Sequence, residues 1–157
     1  MISTADLLDA HPGDALVCLL ALRQFGGVAA FSGEISTVRC HEDNVLLKQQ
    51  VSEPGAGRVL VVDGGGSPRV ALLGDMIAGL AAASGWAGLV VNGCVRDVAV
   101  LRHLPIGIKA LGSNPRPSGK AGAGEIDVPV EFGDVVFRPG AVLTSDDDGI
   151  VVLDAAD

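Results

Sequence analysis

The sequence predicts a mixed α/β fold with a partly parallel β centre and β-rich flanks. Three observations carry that prediction. From Arg58 to Leu111 the chain reads strand, loop, helix, strand, loop, helix, strand, and such crossovers imply parallel strands joined by right-handed connections. Beyond Gly112 the helical periodicity stops, and β-type runs follow a long Gly/Pro/Ser loop. The 22 glycines and 3% aromatic content imply frequent turns and a core of Val, Leu, Ile and Ala. At 157 residues the chain is expected to be one domain, 1–157, large enough to bury a real core.

Each element has a local reason. "STADLLDAH" offers a Ser/Thr cap and an apolar Ala5/Leu8 spacing, so a short helix ends before Pro12-Gly13. "FGGVAAFSGEISTVRC" reads as two strands around Ser32-Gly33. "EDNVLLKQQVSE" reads as a helix capped by Asp43 or Asn44 and stopped at Pro54-Gly55. "RVLVVD" (58–63) and "AGLVVN" (87–92) are short continuous apolar runs bounded by turns, as buried strands are. "DMIAGLAAAS" is an Ala-rich helix ended by Gly85, "RDVAVLRHL" a helix ended by Pro105, and "IGIKAL" a third strand. "GSNPRPSGKAGAGE" is a loop, after which "IDVPVEFG", "VVFRPGAVLT" and "GIVVLD" are β-type.

Charge and cysteine usage exclude several function classes. The net charge is −8, with 11 scattered Lys and Arg. Without a basic face to displace counterions, direct nucleic-acid binding is not expected. The run "ALVCLLAL" is far shorter than the roughly 20 residues a membrane helix needs. Asp6, Asp9 and Asp14 precede it where a signal peptide would be basic. Cys18, Cys40 and Cys94 are odd in number and far apart, each in an apolar stretch. They read as reduced core residues of a cytoplasmic protein, neither a disulfide frame nor a zinc site. His11, His41 and His103 form no metal-ligand pair.

Several motifs resemble sites without the spacing a site needs. "VLVVDGGGS" resembles a nucleotide or methyl-donor loop, but Pro68 and "RVALL" separate it from the next helix, whereas such loops lead straight into a helix N-terminus. Gly64 to Gly66 are expected to form a packed turn. "TSDDDGIVV" lacks the ligand spacing and closing glutamate of a calcium loop and reads as a turn into the last strand. Glu125 and Asp127 alternate like exposed strand positions, with a general-base pair as the alternative.

Two stretches remain. In "LLGDMI", Gly74 precedes a helix start, and the free N–H groups of residues 74–77 favour an anion such as a carboxylate. In "VVNGCVRD", Arg96 and Asp97 follow a buried strand and open the next helix. If the strands are parallel neighbours, both stretches lie at carboxyl ends, where α/β sheets bind ligands. Asp97 offers a hard oxygen to a cation that keeps most of its waters, as Mg²⁺ does. Arg96 offers a fork for a carboxylate or a developing enolate. A 2-oxo acid fits this set. On the residues alone, Arg96–Asp97 also reads as a surface charge beside a helix cap.

"GRVLVVDGGGSPRVALLGD", "GWAGLVVNGCVRD", "IGIKALGSNPRPSGK" and "DDDGIVVL", with "TADLLDAH" and "TVRCHEDN", together resemble the family named for regulator of ribonuclease activity A (RraA) over nearly the whole chain. That family also contains 4-hydroxy-4-methyl-2-oxoglutarate aldolases, which are metal-dependent pyruvate aldolases. The most specific element is an Asp, twenty residues, then Arg-Asp; Asp75 and Arg96–Asp97 match it. The resemblance implies a three-layer β/β/α swivelling-type domain in a ring-shaped homotrimer with sites at subunit boundaries. It implies a divalent cation (Mg²⁺ or Mn²⁺) at Asp97, largely through its water shell. Arg96 would contact substrate and stabilise the enolate, the backbone of Gly74, Asp75, Met76 and Ile77 would cradle pyruvate, and Asp75 would order a water near the ion. Oxaloacetate decarboxylase activity is implied as well, with a ribonuclease-binding regulator as the alternative function. The longer aldolases add a glutamate from a C-terminal extension of the neighbouring subunit, and no residue here is matched to it.

Overall fold

The computed structural model describes residues 1–155. The chain runs α1 (Thr4–Ala10), β1 (Leu16–Val17), β2 (Arg23–Gln24), β3 (Phe31–Arg39), α2 (Val45–Ser52), β4 (Val59–Asp63), β5 (Ala71–Leu73) and α3 (Asp75–Ala83). It continues through β6 (Gly88–Val95), α4 (Val98–Leu101), β7 (Gly107–Ser113), β8 (Glu125–Ile126), β9 (Val130–Phe132), β10 (Val135–Phe137), β11 (Val142–Asp146) and β12 (Gly149–Leu153). The main sheet has the order β1-β12-β11-β3-β4-β6-β7-β2, with β5 added to β6 and β8 to β3. Its centre, β3-β4-β6-β7, is parallel, and both flanks are antiparallel. The mixed α/β expectation with a partly parallel centre is met.

The middle of the parallel centre, β4 and the first half of β6, is apolar on both faces, as strands covered on both sides are. Along β4, Leu60 and Val62 join a core with Leu47 and Val51 of α2 and Ile77, Ala78 and Ala81 of α3. Val59 and Val61 point the other way, into a core with Val130 and Phe132 of β9, Phe137 of β10, Leu143 and Ile150. Side chains alternate across a strand, so a continuous apolar run fills two cores at once. The result is three layers: helices, parallel strands, and the β9–β10 hairpin with the β11–β12 arm. Each fully buried Val or Leu contributes roughly 1.5–3 kcal/mol. Phe31 crosses Gly88 and Gly107, register partners on β6 and β7, where a Cβ on either glycine would strike its ring.

The local signals hold with three corrections. Ser3 caps α1, its hydroxyl accepting from the Asp6 N–H at 3.1 Å. The expected break at Ser32-Gly33 is absent: β3 runs unbroken through it. Gly33 is needed for proximity, because a Cβ there would meet the backbone carbonyl of Gly57. The helix expected across "RDVAVLRHL" shrinks to Val98–Leu101: Asp97, left-handed at φ 59°, stands outside the helix as its N-cap, and ahead of Pro105 the His103 and Leu104 N–H groups tighten onto the carbonyls three residues back, Val100 and Leu101. The segment before α3, expected only as an apolar interruption, contains β5, paired parallel to the end of β6. The three cysteines are buried and free, and burial pushes the Cys40 thiol up to about 12. No helix among the described residues is long and apolar enough to cross a membrane.

Candidate functional site

β5 is what assembles the site. It lies beside the last residues of β6, with Ala71 opposite Cys94 and Leu73 opposite Val95. The chain then leaves β5 into α3 through Gly74, and leaves β6 into α4 through Arg96 and Asp97. Both exits fall at one corner, tied by the Arg96 N–H donating to the Leu73 carbonyl at 2.9 Å. The Asp75 N–H donates to Asp97 Oδ2 at 3.0 Å. Gly74 is required by space: a Cβ there would collide with the Asp97 carboxylate.

Asp97 holds its left-handed backbone at a cost of about 1–2 kcal/mol. Its carbonyl accepts from Val100 and Leu101 N–H at 2.9 Å each, which fixes that conformation. Its carboxylate makes no cap bond to α4; it reaches across to α3. Asp97 is thus the N-cap residue of α4 by position, as the cap alternative has it, while its side chain serves α3. The four free amides expected at residues 74–77 are also reduced, since the Asp75 N–H is spent on Asp97. Among the described residues, the Met76 and Ile77 N–H groups have no protein acceptor, and they stay available to an anion.

This corner opens into a cavity of about 300 Å³ lined by residues 71–77, Arg96 and Asp97. Every site residue expected from sequence is therefore brought together. The opposite wall was not expected as part of the site: Asn44 and Lys48 of α2, and Pro117, Ser118 and Lys120 of the glycine-rich loop. That loop is pinned. The Ala71 N–H donates to the Arg116 carbonyl at 2.7 Å, Gly119 N–H to Glu42 carbonyl at 2.8 Å, and Asn44 N–H to Gly119 carbonyl at 3.3 Å. Asn44 Nδ2 donates to the Leu72 carbonyl at 3.0 Å, and its Oδ1 accepts from Lys120 Nζ at 3.2 Å. Buried Asp43 accepts from Val45, Ala121 and Gly122 N–H. Burial alone would raise its pKa, but these donors outweigh burial and hold the carboxyl below its ordinary value. The sequence signal for this wall is "EDN" followed by Lys48 four residues after Asn44, on one helix face, a pattern that by itself reads as a helix cap.

The decoys stay outside. Gly64 and Gly66 N–H donate to the Asn92 carbonyl, and Gly65 N–H to Asp63 Oδ1 at 2.9 Å, so that loop is a packed turn as expected. Asp146, in the β11–β12 turn, is consumed by Thr4 N–H and hydroxyl and by Asp148 N–H. Glu125 pairs with Arg39 at 3.5 Å, outside the cavity.

No group of three or more His, Cys, Asp or Glu among the described residues could cage a metal. The donor set is one carboxylate at the corner with a second, Asp75, beside it. Hard oxygens in that number fit Mg²⁺ or Mn²⁺ that keep most of their waters.

The fold and this corner define a class: a mixed α/β protein whose parallel strand ends present two unspent backbone amides, Met76 and Ile77, beside Arg96 and the carboxylates of Asp75 and Asp97. Residues 4–152 match the family model described as RraA-like, Aldolase/RraA, and the chain belongs to that family. It is similar to a Geobacillus kaustophilus structure described as an S-adenosylmethionine:2-dimethylmenaquinone methyltransferase, at 46% identity and TM-score 0.97, covering 99% of this chain and 96% of that one. It is equally similar in identity (46%) to the RNA-processing inhibitor RraA from Thermus thermophilis, at TM-score 0.94 and 98% and 93% coverage. Streptomyces coelicolor RraAS2, described as an unusual member of the RNase ES inhibitor family, matches at 28% identity and TM-score 0.81, with 98% and 81% coverage.

Proposed function

We propose that the protein is a divalent-metal-dependent lyase that forms pyruvate from 2-oxo acids, acting as an oxaloacetate decarboxylase and a 4-hydroxy-4-methyl-2-oxoglutarate aldolase. The observation that supports this most is the joining of Asp75 to Asp97, which closes the Asp, Arg-Asp spacing into one corner. The carboxylate of the substrate lies against the Met76 and Ile77 amides. The Arg96 guanidinium faces the keto oxygen and gains strength as that oxygen becomes an enolate. Asp97, fixed by the Asp75 N–H, would hold a cation through that ion's water shell. The cation supplies further positive charge for the keto-acid oxygens. Loss of CO₂ leaves the bond electrons on the enolate, and a proton taken at carbon 3 completes pyruvate. Decarboxylation needs no base, whereas aldol cleavage must take a proton from a tertiary alcohol; decarboxylation is therefore the more robust of the two.

Exposed Met76, Leu80 and Val100, on α3 and α4, the first of them also lining the cavity, suit a subunit boundary in a homotrimer, and a cytoplasmic location suits the free buried thiols. The purified protein with Mg²⁺ or Mn²⁺ is expected to release pyruvate from oxaloacetate faster than metal alone. Asp97→Ala and Arg96→Ala should each remove that excess; unchanged rates in both would sink the assignment.

A second reading, a regulator that binds a ribonuclease, draws on the 46% identity to an RNA-processing inhibitor and on a charge of −8 suited to a basic partner. Failure to inhibit RNA cleavage at micromolar protein would remove it.

A further inference from the structure

The three buried thiols stand in different company. Cys40 lies beside Asp43 and Asp63, which add to burial and push its thiol up to about 12. Burial raises Cys94 as well, with no group opposing it. At Cys18 burial again dominates, but the Leu20 N–H donates to the sulfur and Lys109 acts in the same direction, both toward the thiolate. Among the described residues, Cys18 is thus the cysteine with a backbone donor and a cation beside it.

Lys109 is an unusual neighbour for a thiol. It is 5% exposed, and its register partner on β6 is Val90, a residue of the core on the β11–β12 side of the sheet. Its side chain therefore runs between the layers, and Nζ donates to the Asp146 carbonyl in the β11–β12 turn. An ammonium has three donors. Among the described residues no second acceptor and no carboxylate ion pair takes the other two. Lys109 and Cys18 line one cavity of about 140 Å³, which exposed Asp147 and Asp148 also line. A buried amine with unspent donors and a buried thiol thus share a small space that reaches the surface at two carboxylates.

We propose that Cys18 is a peroxide-reactive thiol with Lys109 as its base, reached through this cavity by hydrogen peroxide. The site is separate from the Asp75–Asp97 corner and does not depend on the lyase reading. Burial pushes the thiol up and the ammonium down, the latter against Asp146 and Asp147. The two groups are thereby brought toward each other in acidity, and a proton passes from Sγ to Nζ at small cost. The thiolate is the nucleophile. It attacks one peroxide oxygen; the S–O bond forms as the O–O bond breaks. Sulfur is oxidised to the sulfenic acid, and peroxide is reduced to hydroxide, which takes the proton from Lys109 and leaves as water. Asp147 and Asp148 at the mouth disfavour anionic oxidants, so the cavity selects a small neutral one.

The test exposes the full chain to hydrogen peroxide, quenches with catalase, unfolds, alkylates the remaining thiols and counts each cysteine by peptide mass spectrometry. Wild type is expected to lose the Cys18 thiol about a hundredfold faster than Cys40 and Cys94, the lower end of what a positioned base supplies. Lys109→Met should erase most of that lead while Cys40 and Cys94 stay protected, which also shows the variant folded. A second variant lies on the exposed turn and spares the buried amine: Asp147→Asn with Asp148→Asn. It should leave the peroxide rate at Cys18 within about twofold and raise the rate with anionic peroxymonosulfate severalfold. Loss of Cys18 in wild type no faster than that of Cys40 and Cys94, or an undiminished rate in Lys109→Met, would overturn the proposal. Equal peroxymonosulfate rates in wild type and the aspartate variant would overturn this cavity as the route.

Discussion

Two glycine–acid turns leave the carboxyl ends of strands in this sheet, and they are built for opposite purposes. At Asp63 to Gly66, after β4, every glycine N–H is spent inside the protein: two on the Asn92 carbonyl and one on Asp63. At Gly74–Asp75, after β5, one N–H holds Asp97, and those of Met76 and Ile77 find no acceptor among the described residues. The richer glycine motif is structural and the poorer one faces the cavity. Backbone donors left unpaired beside a cavity distinguish a binding turn from a packed one better than glycine count does.

The sharpest way to break that contrast is one methyl group at each turn. Gly74→Ala places a Cβ against the Asp97 carboxylate and 3.1 Å from Arg96 Cγ. Misplacing this pair should lower oxaloacetate decarboxylation about a hundredfold, and because the clash is with exposed side chains, Tm should fall little. Unimpaired pyruvate release would mean the corner is not the site. Gly65→Ala meets the reverse condition, a positive φ of 69° far from the cavity. It should cost about 1–2 kcal/mol and several degrees of Tm in a thermal melt, while activity per folded molecule stays at the wild-type level.

The smallest effect concerns the loop that carries Lys120. The folded pKa of Asp43 is depressed: burial pushes it up, and the N–H groups of Val45, Ala121 and Gly122 more than reverse that. A carboxylate lowered in the folded state contributes stability fully present above its unfolded pKa, near 4, and lost as pH falls through the folded value. Asp43→Asn should therefore be less stable at neutral pH, with a shallower loss of stability below about pH 4. Asp146, depressed because Thr4 and Asp148 donors overcome its burial, still titrates there, so the slope shrinks without vanishing. Parallel acid-denaturation curves for the variant and wild type would contradict this.

The sequence made the parallel centre legible because "VLVV" of β4 and "GLVV" of β6 are continuous apolar runs bounded by turns, with helical patterns between the strands. It also placed Gly74–Ile77 at a helix start, and Arg96 and Asp97 at the end of a buried strand. It hid β5, since three residues carry no periodicity, yet β5 is the element that joins the two halves of the site. It made Gly33 look like a turn, because closeness to the Gly57 backbone and a need for positive φ both select glycine. The α2 wall stayed hidden for another reason: Asn44 reads as a helix cap until a loop 76 residues later folds against it.

The central claim is that the α3 amides and Asp97 form one keto-acid site. Crystals grown with Mn²⁺ and oxalate, a planar mimic of enolpyruvate, test it most directly. The expected map shows an anomalous metal peak beside the Asp97 carboxylate, and oxalate between Arg96 and the Met76 and Ile77 amides. Metal and oxalate bound elsewhere, with this corner empty at saturating concentrations of both, would contradict it.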